Sequence, residues 1–326
     1  VNRMMNNENF VLLRSLDALT FVRISVEFSP SRDLSQKSWI GAAIRNRFLY
    51  AAEQIRMPEG DSLRERLDTL SLAEDHFLYK QLRGGFPKGY LFDVSSLSHP
   101  CNEFTLHASE AYKFHILLIG RLIQYQSYVI SAAQNMLREG LGAPMVSLNL
   151  ISLNVSRQLR LHDFAKRCFD DDVIVRFSLK TPVALTKPVE DVKTGYQSRL
   201  NGFPSFYQWV SAAAYRLSTL TILYAEEGMP EIKSREEWEV CIEQFIAPAV
   251  RPWLLSADLK YISLRSTPKE DSDSVYVMSG YVGAITYGRV SPYYVPLVCM
   301  MSQLAIGNDV NYGFGRYQCT PYNSKQ

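Results

Sequence analysis

Near its C-terminus the chain reads Ile306-Gly307-Asn308-Asp309-Val310-Asn311-Tyr312-Gly313-Phe314-Gly315-Arg316-Tyr317. Glycines at this density permit positive φ and let a ligand's backbone come close, and the exposed amides of such a loop can hold phosphate or sugar oxygens. A tight turn whose glycines serve packing fits the same residues, and the sequence leaves both readings open. A second concentration of chemistry is the basic segment Arg157, Arg160, His162, Lys166 and Arg167, followed by Lys180, Lys187, Lys193 and Arg199. Such a patch tracks phosphates and binds more weakly as salt rises. A solvated charged linker fits it equally well, and Asp170, Asp171 and Asp172 oppose its field. The five histidines show no HExxH or carboxylate-rich spacing, and the five cysteines are dispersed. Neither set predicts a metal centre or a disulfide framework, and no cofactor fingerprint is present, so the expected chemistry uses neither metal nor cofactor.

Composition narrows the classes further. The chain has 326 residues, 35 Lys+Arg against 33 Asp+Glu, a net charge of +2, and 47% hydrophobic residues. A polybasic tail and an acidic disordered protein are excluded, whereas a local basic face inside a neutral total is not. The longest apolar runs, residues 114–120 and 295–301, fall short of the ~20 residues of a membrane span. Residues 1–7 show no signal-peptide pattern, and a cytoplasmic protein without a membrane partner is expected.

Periodicity places these residues on elements. Residues 21–28 alternate as a half-buried strand. Ser38 is read as the N-cap of a helix with Ile40, Ala43, Ile44, Phe48 and Ala51 on one stripe, and a polar insertion covers residues 57–82. Strands are predicted at 89–94, 103–108 and 112–119, then a helix to Glu139 closed by Gly140 and Gly142, then a strand at 145–153. The second half repeats the order: a strand at 173–179, helices at 205–226 and 236–246, strands at 259–265 and 275–287, a helix at 292–304, and a last strand at 312–319. Two β-α-β-β-α-β units in one chain predict an α+β protein of tandem ferredoxin-like (RRM-like) domains, residues 1–155 and 156–326.

The C-terminal loop and the preceding strand Gly280-Tyr281-Val282-Gly283-Ala284-Ile285-Thr286-Tyr287-Gly288 resemble the glycine-rich signature of the CRISPR-associated RAMP superfamily. Within it the chain is similar to the endoribonucleases that process precursor CRISPR RNA. The run Phe114-His115-Ile116-Leu117-Leu118-Ile119-Gly120-Arg121-Leu122 and the later Gly140-Leu141-Gly142 match that family's strand, Gly-Arg turn and Gly-Leu-Gly segment. Thr181-Pro182, Arg216-Leu217-Ser218 and Ser263-Leu264-Arg265 fall in the family's order, and the likeness runs from residue 40 to residue 317. It implies metal-independent attack of a ribose 2′-OH on the adjacent phosphate, giving a cyclic phosphate and a 5′-OH, with the product crRNA retained. It places Arg47 and Tyr50 of the first helix, and His99 of Ser98-His99-Pro100, as catalytic candidates. Arg45, Arg157, Arg160, Lys166 and Arg167 are its RNA-binding candidates, with Gly307, Asn308, Asn311, Gly313, Gly315 and Arg316 of the loop. Many relatives carry a His two residues before the first loop glycine and a Lys after it; these positions are Ala305 and Asn308 here. A non-cleaving guide-RNA-binding subunit of a CRISPR ribonucleoprotein is the alternative the resemblance admits. Implied partners are repeat RNA or crRNA, other CRISPR effector subunits, and a second copy of the chain.

Overall fold

The computed structural model describes residues 19–70, 72–83, 85–97, 100–164, 169–185, 203–225, 234–266 and 276–323. Its first strand, β1 (Thr20–Pro30), buries Ile24, Val26 and Phe28 and leaves Arg23, Ser25 and Glu27 partly exposed, as strict alternation requires. β1 pairs antiparallel with β5 (Tyr112–Ile119) on one side and β6 (Leu148–Val155) on the other. β3 (Tyr90–Asp93) adds at the β5 edge, so the order is β3-β5-β1-β6, and the short β7 (Leu159–Arg160) pairs with the start of β1. Helices α1 (Ile40–Glu53) and α4 (Gln126–Glu139) pack together over the apolar face. Gly140, at φ 90, ends α4.

The second sheet runs β11-β8-β10-β9, from β8 (Val173–Val183), β9 (Trp253–Arg265), β10 (Val277–Val290) and β11 (Tyr317–Asn323). Helices α5 (Phe206–Tyr224) and α7 (Val295–Leu304) cover its buried face. Phe177 of β8 stacks on Trp209 of α5 at 4.4 Å, and the Tyr317 hydroxyl donates to the Val298 carbonyl of α7 at 2.6 Å. Ser205 and Gln208 form a capping box at the start of α5, and Ser234 caps α6 (Arg235–Ile246). In both sheets the first and third strands of a β-α-β-β-α-β unit lie at the centre, which is the ferredoxin-like order expected twice over. Among the described residues, no helix is long and apolar enough to cross a membrane.

Three local expectations are corrected. Residues 103–108 do not join the first sheet: β4 (Phe104–Leu106) pairs with β2 (Leu34–Gln36) in a separate ribbon. The N-cap of α1 is Trp39, not Ser38, and no side chain caps it. Residues 310–312 form a 3-10 turn, and the last strand starts only at Tyr317. The insertion carries two short helices, α2 (Leu63–Asp68) and α3 (Tyr79–Leu82), the first held by a Ser62–Glu65 capping box.

Candidate nucleic-acid interface

The start of α1 is seated on the glycine-rich loop. The Trp39 amide donates to the Arg265 carbonyl at 2.8 Å and its indole Nε1 donates to the Tyr312 carbonyl at 2.6 Å. A β-carbon at Gly41 would collide with that same Tyr312 carbonyl, so the helix reaches the loop only because glycine stands there. One turn later the Arg45 guanidinium lies over the Tyr312 ring, 4.4 Å from its centroid. Arg47 ion-pairs with Glu139 at the end of α4 at 3.1 Å and covers the Tyr50 ring at 4.7 Å. The Tyr50 side chain is half exposed. The first helix thus presents one guanidinium group, Arg45, to a loop of the other sheet, and Arg47 with Tyr50 toward the end of α4.

The loop is held rigidly. The Asn308 amide donates to the Ala184 carbonyl, the Gly315 amide to the Pro182 carbonyl, and the Ile306 amide to the Gly315 carbonyl. At φ 82, Gly315 has no room for a β-carbon against the Ile306 carbonyl. These glycines therefore serve packing, and several amides expected to face a ligand are spent on the protein. Asn308 projects as an exposed side chain, with Asn311 and Tyr312 half-buried.

Arg316 departs from its expected role. Its guanidinium is buried, ion-pairs with Asp93 of β3 at 2.8 Å, and donates to the Ser302 and Gln303 carbonyls at 2.8 and 2.6 Å. Arg216 of α5 approaches the next carbonyl, Leu304, and burial pushes its pKa down to about 10. Two arginines thus satisfy the carbonyls left open at the end of α7 and complement its dipole. Arg316 organises the loop and ties it to the first sheet. Burial alone would raise the Asp93 carboxyl, but the Arg316 guanidinium and the Ser95 hydrogen bonds hold it below its ordinary value. On the same sheet His115 Nδ1 meets Ser25 Oγ at 2.8 Å, and burial lowers the imidazole's pKa. Arg23 reaches across to Gln303 of α7 at 3.0 Å.

Two described residues of the basic segment are not brought to this loop. Arg157 and Arg160 are exposed at the β6–β7 edge of the first sheet, whereas the loop docks at β3, the opposite edge. His99, Lys166 and Arg167 lie outside the described residues. Two residues beside the loop escaped the sequence reading. The Tyr276 hydroxyl donates to Asp309 Oδ1 at 3.0 Å, and its ring lies 5.8 Å from that of Tyr312. Asp309 has φ 58, a left-handed conformation tolerated best by Asn, Asp and Gly, which was the available signal. Burial raises its pKa and pushes Tyr276 up to about 12.

A family model described as AF_1859_N, N-terminal domain, matches residues 73–170. Comparison with curated protein sequences gives no match. Among solved structures, a Cas6 product complex of the Thermus thermophilus protein superposes with a TM-score of 0.55 at 12% identity, covering 93% of this chain and 99% of that one. A partial Cas6-RT-Cas1–Cas2 complex gives 0.57 at 11% identity, covering 94% of this chain and 47% of that chain. The fuller complex gives 0.57 at 11% identity over 29% of its chain, so this chain corresponds to one part of a longer protein there. The chain therefore has the fold of these Cas6 structures, two ferredoxin-like sheets in contact through a glycine-rich loop.

Proposed function

We propose that the chain binds CRISPR repeat RNA and cuts precursor crRNA without a metal, keeping the product bound. The observation that carries this reading is the seating of α1 on the glycine-rich loop, which brings Arg45 against Tyr312, with Arg47 and Tyr50 in contact farther along the same helix. Attack of a ribose 2′-oxygen on the adjacent phosphorus forms the cyclic phosphate as the bond to the 5′-oxygen breaks. The step needs a proton acceptor, a proton donor to the leaving oxygen, and positive charge at the phosphorane. Arg45 and Arg47 supply the charge, and the exposed Tyr50 phenol suits one proton-transfer role. His99 remains a candidate for the other. Neighbours named as Cas6 product and Cas6-RT-Cas1–Cas2 complexes support RNA as ligand and other CRISPR proteins as partners.

A non-cleaving guide-RNA binder is the second reading. It is favoured by Ala305, which carries no titratable side chain, and by the engagement of Arg47 with Glu139. Incubation with end-labelled repeat RNA in EDTA separates the two. Cleavage to a 2′,3′-cyclic phosphate supports the enzyme; tight binding of intact RNA supports the binder; no binding at low salt rejects both.

A further inference from the structure

Arg45, Tyr312 and Tyr276 form a ladder of planar groups running from the first helix, across the loop, to the surface. The Arg45 guanidinium is 4.4 Å from the Tyr312 ring centroid, and the Tyr312 and Tyr276 rings are 5.8 Å apart with an interplanar angle of 34°. The outermost rung is open: Tyr276 is 53% exposed. It is nevertheless fixed. Its hydroxyl is held by Asp309, and its backbone closes on Ser266 through the Ser266 amide to the Tyr276 carbonyl at 2.9 Å and the Tyr276 amide to Ser266 Oγ at 3.2 Å. An exposed aromatic ring whose tip and backbone are both tied has little side-chain entropy left to lose when something stacks on it. The tip is anchored on Asp309 and the neighbouring Tyr312 ring carries the Arg45 guanidinium, so the exposed surface of Tyr276 is a preorganised π-platform.

We propose that this ladder is a stacking site for an unpaired RNA base, with Tyr276 as the contact ring and Asp309 as the positioning residue that holds it. The site rests on the RNA-binding part of the proposed function and names one feature of that ligand: a single-stranded base beside the α1–loop junction. Every base has a π-face, purines offering the larger one, so a base of any identity can stack on Tyr276. A stem whose bases are all paired and internally stacked cannot use the site.

The test measures binding of fluorescein-labelled A12 and U12 RNA at low salt by anisotropy. A fully paired RNA hairpin without overhangs, its loop replaced by a polyethylene glycol linker, serves as the third probe. The wild-type chain is expected to bind A12 several-fold more tightly than U12, and Tyr276→Ala to weaken A12 about tenfold while leaving the hairpin unchanged. Tyr276→Phe keeps the ring and should stay within about threefold of wild type, which separates stacking from the hydroxyl's hydrogen bond. Equal losses for A12, U12 and the hairpin in Tyr276→Ala would overturn the stacking site in favour of a general structural effect. An unchanged A12 affinity in that variant would also overturn it while leaving the proposed function standing. Failure of all three RNAs to bind the wild-type chain would reject both.

Discussion

At the scale of single residues, Arg316 is a buried side chain that ties the two sheets together. Its ion pair with Asp93 has side-chain exposures of only 11% and 6%, so removing one partner strands a buried charge. Asp93→Ala is expected to cost about 3–5 kcal/mol in denaturant unfolding, and the double replacement Asp93→Leu with Arg316→Met to cost much less than the two single changes summed. Additive losses would show that the pair does not couple the sheets. The resemblance of the glycine-rich loop offered Arg316 as an RNA contact. Nothing local shows that α7 ends beside it with open carbonyls, or that Asp93, far away in sequence, supplies the counter-charge.

At the scale of elements, the glycine-rich loop works as a fitted joint. Gly315→Ala should lower stability by about 2 kcal/mol or more, because its positive φ and the Ile306 carbonyl both exclude a β-carbon. Gly60→Ala is the control: Gly60 also has a positive φ, but nothing lies within 4 Å of its β-carbon position, so only the backbone strain is felt. Equal thermal shifts in the two variants would contradict the packing role. Elements with clean periodicity were legible from sequence: β1 from its alternation, and α5 and α6 as the helices predicted at 205–226 and 236–246. The start of α1 was not. Ser38 has the composition of a cap, but tertiary contact prevails there, since Trp39 is held from outside the helix by Arg265 and Tyr312. Residues 103–108 alternate like a core strand, yet pairing with β2 draws them into a separate ribbon, and such a choice of partner is non-local. The charge density of the basic segment is visible in sequence, whereas the sheet edge that carries Arg157 and Arg160 is not.

At the scale of the whole molecule, a polar seam of Arg23, Asp93, His115 and Arg316 lies where the first sheet meets the second unit, and it makes stability depend on pH. His115 is held below its ordinary pKa of 6.5 by burial, with Arg23, Lys113 and Arg316 lowering it further and Asp93 opposing them. Below pH 6.5 the unfolded chain therefore takes up a proton that the folded chain resists, so stability falls as pH drops from 6.5 toward the folded value. Asp93, held below 3.8, keeps its contribution above that pH and loses it as pH falls through its folded value. Thermal melts should show midpoints declining as pH falls below 6.5, with a flatter profile in His115→Gln; an identical slope in the variant would show that His115 is not the group responsible. The central claim is that RNA is held where α1 of one unit meets the glycine-rich loop of the other. Its most direct measurement is photocrosslinking of 4-thiouridine-substituted repeat RNA, followed by mass spectrometry of the adducted peptides. The expected result is adducts on the peptides of Tyr50, Tyr276 and Tyr312; adducts confined to the exposed Trp253–Tyr261 edge of β9, with none at α1 or the loop, would contradict it.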